Sequence, residues 1–186
     1  MAIINVTEFV DSIRGWAANR GSQFKYNWPV KGGWEGWIQV DLTGFILTVN
    51  PTVEILREQP VYANTRQRCD LLLNAKSEPH RQIIVEIKAE SLNNWENFIT
   101  GVVDDLDKLD SAVGLAYQKT DRVMLAMPFN PPSYEELMAL QMDGHKIFAA
   151  VYLGGGDVAC AVAIRTATGW LTPGVSEAKE PAKAMG

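Results

Sequence analysis

Three residues near the middle of the chain have the types and spacing for metal-assisted phosphodiester chemistry: Asp70, Glu86 and Lys88. They stand in two apolar runs, Arg68-Cys69-Asp70-Leu71-Leu72-Leu73 and Ile83-Ile84-Val85-Glu86-Ile87-Lys88. Side chains of a strand alternate between its faces. Ile83, Val85 and Ile87 then point one way, and Ile84, Glu86 and Lys88 the other. Arg68, Asp70 and Leu72 share a face of the preceding run. If the two strands are neighbours, Asp70 converges on Glu86 with the Lys88 amine alongside. Charges in an apolar strand are costly unless something pairs them. Two carboxylates at one point offer hard oxygen ligands for Mg²⁺ or Mn²⁺. Such an ion acidifies a bound water and stabilises charge building on a phosphate. Lys88 then either orients that water or, with its pKa lowered by burial, deprotonates it. Arg66 and Arg68 are the candidate contacts to nucleic-acid phosphates, and Arg68 would equally neutralise the acidic cluster.

The elements that must position these residues are readable from periodicity. A helix begins at Thr7, its cap, with Phe9, Val10, Ile13 and Trp16 on one face and Gly21 as its stop. A second helix runs from Trp34 to about Leu47, with Trp34, Trp37, Ile38, Leu42 and Phe45 as its stripe and Glu35 and Gln39 together on a flank. Strands follow at 53–62, where Pro60 marks an edge or a bulge, then at 68–73 and 82–89. A long helix spans about Asn94 to Tyr117, with Phe98, Val102, Leu106, Leu109 and Val113 inward. The run Asp104, Asp105, Asp107 and Asp110 reads as its solvated face. A buried strand at 122–128, a helix at 134–142 capped by Ser133, and a hairpin of 147–153 with 158–165 complete the order. The glycines at 154–156 turn that hairpin and are no phosphate loop, because no helix follows them. The fold class expected is α/β, a mixed β-sheet flanked by helices. One domain is expected over 1–172, with a mobile tail over 173–186.

With Asp70, the triplet Glu86-Ile87-Lys88 and the polar connection between them, the chain resembles the PD-(D/E)xK (restriction-endonuclease-like) nuclease superfamily. Cys69 stands where the family name has Pro. The resemblance covers roughly Trp34 to Pro128 and implies an α-β-β-β-α-β core. It implies catalytic roles for Asp70, Glu86 and Lys88, with Asp70 and Glu86 as the metal ligands. It also implies that Glu35, on the earlier helix, completes the site. No Gln-x-x-x-Tyr pattern follows the triplet, so a helicase-associated exonuclease branch is not indicated.

Composition narrows the alternatives. The 186 residues include 47% hydrophobic and 21% charged side chains, ordinary for a globular protein. Two histidines, His80 and His145, nearly exclude a zinc hydrolase with several His ligands. Two cysteines, Cys69 and Cys160, are too few for a disulfide scaffold, which points to a reducing, cytoplasmic setting. The apolar stretch 147–164 is broken by glycines and Asp157, so no membrane span is expected. Net charge is −5, with ten basic and ten acidic residues in 1–90 against seven and twelve in 91–186. A neutral to basic face therefore belongs to the first half if anywhere.

The expected function is a divalent-metal-dependent (Mg²⁺ or Mn²⁺) endonuclease acting on nucleic acid, DNA in the first instance, as a homodimer if both strands are cut. The competing expectation is a non-catalytic binding or assembly module that keeps the fold and holds a protein partner.

Overall fold

The computed structural model describes residues 2–31, 33–154 and 159–172. The expected tail at 173–186 lies outside the described residues, as do Gly155 and Gly156 of the hairpin turn. Two helices open the chain, α1 (Val6–Asn27) and α2 (Glu35–Val49), followed by three strands, β1 (Ile55–Gln59), β2 (Cys69–Leu73) and β3 (Ile83–Ala89). Helix α3 (Phe98–Ser111) leads to β4 (Asp121–Met127), and α4 (Pro131–Ala139) to a two-stranded ribbon of β5 (Gln141–Met142) and β6 (His145–Lys146). The strands β7 (Ala149–Leu153), β8 (Ala159–Thr166) and β9 (Gly169–Trp170) end the described chain.

The result is a mixed α/β architecture. One seven-stranded sheet runs in the order β1-β2-β3-β4-β8-β7, with β9 also on β8. Among the described strands only β3 and β4 pair in parallel, the consequence of the α3 crossover between them. Alternation along the strands divides the core. Leu71, Val85, Ile87, Val123 and Leu125 pack on one face with α1 and α2. Leu72, Ile84, Met124 and Ala126 pack on the other with α3 and Leu137 of α4. Trp34 and Trp37 belong to an aromatic cluster with Trp16 and Phe24, as core residues rather than base-stacking ones.

Several boundaries differ from the periodicity, each for a local reason. Asn5, not Thr7, caps α1: its side chain accepts the Glu8 N–H while the Glu8 carboxylate takes the Asn5 N–H. Gly21 does not stop α1. A Cβ there would lie 2.0 Å from the Tyr152 hydroxyl, so the glycine serves close approach of β7. Helix α3 is shorter than expected, with single 3₁₀ turns at Trp95–Asn97 and Leu115–Tyr117 on either side. Buried Arg122 ties the end of α3 to the 3₁₀ turn after it, donating to Leu109 O at 2.8 Å and Asp110 O at 3.3 Å, and to Gln118 O at 2.8 Å and Tyr117 O at 3.3 Å. Ser133 does not cap α4. It donates to the fully buried Glu90, which also accepts the backbone N–H groups of Phe129 and Asn130 and so ties the start of α4 to the end of β3. The β5–β6 ribbon was not foreseen, being too short to carry a period.

Candidate active site

The site grows from the place where β2 and β3 part. Their pairing runs Leu73↔Ile83, Leu72↔Ile84, Leu71↔Val85, and the same register carried one residue on sets Asp70 opposite Glu86. There the Asp70 side chain replaces the ladder, its Oδ2 accepting the Ile87 N–H at 2.6 Å. On the outer side of Asp70, Glu58 of β1 adopts a left-handed φ of 55°, a conformation that costs a non-glycine residue about 1–3 kcal/mol and that clusters at functional positions. The Asp70 and Glu86 carboxyl groups lie side by side, close enough for one to hydrogen-bond the other.

Each carboxyl is also gripped from elsewhere. Asp70 Oδ1 accepts the Gln39 amide from α2 at 2.7 Å. That amide is oriented by Arg57 of β1, whose Nε and a terminal nitrogen donate to the Gln39 oxygen at 2.9 and 2.6 Å. Glu86, 3% exposed, accepts the Tyr62 hydroxyl at Oε1. Burial raises both carboxyl pKa values, and the like charge of Asp70 raises Glu86 further. Near neutral pH the pair shares a proton.

Lys88 and Glu35 complete the rim. Glu35, in the first turn of α2, accepts the Ala89 N–H at 3.2 Å and stands 3.7 Å from Lys88 Nζ. Burial raises its pKa, against the pull of Lys88 and the Ala89 N–H. Lys88 Nζ also lies 3.1 Å from Asp105 Oδ2. Burial disfavours the Lys88 ammonium, but Glu35 and Asp105 outweigh it and the net shift is upward. The shift favours the ammonium form of Lys88, which suits the orienting and electrostatic role better than the general-base one. Asp105 is not on a solvated face: it is buried on α3, while Asp104 and Asp107 of the same run are exposed. Lys108 pairs with its other oxygen.

Comparison with protein-family models, with curated proteins and with solved structures finds no match.

Asp70, Glu86, Lys88 and Glu35 are thus brought together. Arg66 and Arg68 are exposed outside this group, Arg68 donating to the Glu58 carbonyl at 2.9 Å rather than to the carboxylates. His80 is exposed and His145 meets only the Trp170 carbonyl, at 3.3 Å. Cys69 and Cys160 are buried free thiols, and burial raises the pKa of both, Cys69 to about 12. Sequence reasoning missed Tyr62, Asp105 and Lys108 as parts of the site. Gln39 was recognisable only as the i+4 partner of Glu35.

Among the described residues no three His, Cys, Asp or Glu side chains form a ready-made metal cage. Two adjoining carboxylates suit Mg²⁺ nonetheless, because that ion keeps several waters and is usually bound by one or two carboxylates together with substrate phosphates. Among the described residues, no helix is long and apolar enough to cross a membrane.

Proposed function

We propose that the protein is a divalent-metal-dependent nuclease of the restriction-endonuclease-like class, hydrolysing phosphodiester bonds at Asp70, Glu86 and Lys88. The observation that carries the reading is the buried Asp70–Glu86 pair at the β2–β3 fork, with Lys88 two residues beyond Glu86 on the same strand and 3.7 Å from Glu35. The element order α2-β1-β2-β3-α3-β4, with β3 and β4 parallel across α3, agrees with the core that the resemblance implies.

Asp70 and Glu86 would hold Mg²⁺ or Mn²⁺. When bound, the ion acidifies a water and draws charge from a phosphate oxygen. Hydrolysis forms one bond from water oxygen to phosphorus and breaks the bond to one sugar oxygen, which takes up a proton. Lys88, kept as an ammonium, stabilises negative charge on the phosphate and orients the water. Gln39 and the Ile87 N–H fix the Asp70 carboxylate, and Tyr62 fixes Glu86, so both are oriented before substrate arrives. Glu35, 3.7 Å from Lys88 Nζ, would help hold that ammonium at the site. Arg66 and Arg68, exposed on the segment before β2, would meet backbone phosphates.

The test is cleavage of plasmid, linear and single-stranded DNA and of RNA, with Mg²⁺ or Mn²⁺, by wild type and Lys88→Ala. Metal-dependent products from wild type that fall at least about a hundredfold in the variant support the proposal. Equal behaviour of the two proteins on every substrate refutes it.

A further inference from the structure

Asp105 is an aspartate at a core position of α3, beside Val102, Leu106 and Leu109, and it is nearly closed to solvent. A carboxylate in such a place needs a reason. Its two oxygens hold two ammonium groups, Lys88 from β3 at 3.1 Å and Lys108 from the next turn of α3. One turn earlier, Gly101 leaves the space that the Lys88 stem crosses: a Cβ there would touch Lys88 Cδ and Cε at 3.4 Å. Residues 101, 105 and 108 are spaced four and three apart and so form one strip of the helix. Lys88 is laid along that strip.

The alternative resting places for these ammonium groups are the site's own carboxylates. Lys88 feels Glu35 and Asp70, and Lys108 feels Glu86. An ammonium released from α3 would settle there and occupy the lone pairs a cation needs.

We propose that Asp105 is a positioning residue of the site, which draws the Lys88 and Lys108 ammonium groups onto α3 and so keeps Asp70 and Glu86 open to a divalent cation. Lys108 has its own part in this. Lys108 takes the Asp105 oxygen that Lys88 leaves, so the one carboxylate holds both ammonium groups at once. The inference rests on the reading of Asp70 and Glu86 as cation ligands.

The experiment compares metal-free crystals of wild type and of the isosteric Asp105→Asn, together with Mn²⁺ titrations of the same proteins. In the variant, Lys88 Nζ is expected within hydrogen-bond distance of Glu35 or Asp70, and Mn²⁺ affinity about tenfold lower. The double variant Asp105→Asn/Lys88→Met is expected to regain most of that affinity, which a merely structural role for Asp105 would not allow. Unmoved ammonium groups, or Mn²⁺ affinity equal to wild type, overturn the inference. Wild type that binds no Mn²⁺ overturns the cation reading instead, and the crystals still decide where the ammonium groups rest. Should Asp105→Asn not fold, Lys88→Met alone serves. In its metal-free crystals Lys108 Nζ is expected to stay on Asp105, and its movement to Glu86 would overturn the inference.

Discussion

Glu86→Gln should flatten the pH dependence of stability in metal-free buffer. Folding raises Glu86 from 4.5 to about 9 and Asp70 from 3.8 to about 6, chiefly through burial and, for Glu86, the neighbouring carboxylate. A carboxyl whose pKa is higher folded than unfolded takes up a proton on folding, so stability falls as pH rises between the two values. Between about 6 and about 9 the folded pair keeps one proton that the unfolded chain has lost. The limiting slope is about 1.4 kcal/mol per pH unit, or about 3 kcal/mol over two units, a large share of a small domain's stability. Gln keeps an oxygen to accept the Tyr62 hydroxyl and removes the like charge beside Asp70. Urea unfolding of both proteins across this range, with chelator present, isolates the effect of the pair, since groups remote from it cancel in the difference. Wild type should lose stability steeply with rising pH, and Glu86→Gln far less. Parallel curves would refute the claim that the pair is desolvated and proton-sharing.

The same geometry sets further expectations. Gln39→Leu removes the donor on Asp70 Oδ1 and leaves Arg57 without its acceptor. It should cost about 1.5–3 kcal/mol at pH 8 and less below pH 5, where Asp70 is protonated, as read by urea unfolding at both values. Arg122→Ala strips four carbonyls at the end of α3 and the next turn of their donor. A loss of about 2–4 kcal/mol is expected by thermal or urea unfolding, and a loss under about 1 kcal/mol would contradict that account.

How much was legible in the sequence follows from the range of each interaction. Asp70, Glu86 and Lys88 could be brought together because strand alternation has a strict period of two and the connection between their runs is short. The Glu35–Gln39 flank was visible because residues four apart on a helix adjoin. Asp105 was misread because a run of aspartates resembles a solvated face. Its position seven after Phe98 and three after Val102 was the signal, since that places it on the apolar stripe, but its two ammonium partners lie partly across space. Tyr62 was expected within a strand over 53–62, but β1 ends at Gln59 and Pro60 breaks the period ahead of it, so alternation could not aim its side chain. The parts played by Gly21 within α1 and by Ser133 in α4 depended on Tyr152 and Glu90, each remote in sequence.

The most direct measurement is anomalous scattering from a crystal soaked in Mn²⁺, for wild type and Asp70→Asn. The account predicts a manganese peak bridging the Asp70 and Glu86 carboxylates in wild type and lost in the variant. Manganese bound only elsewhere, or bound alike in both proteins, would contradict it.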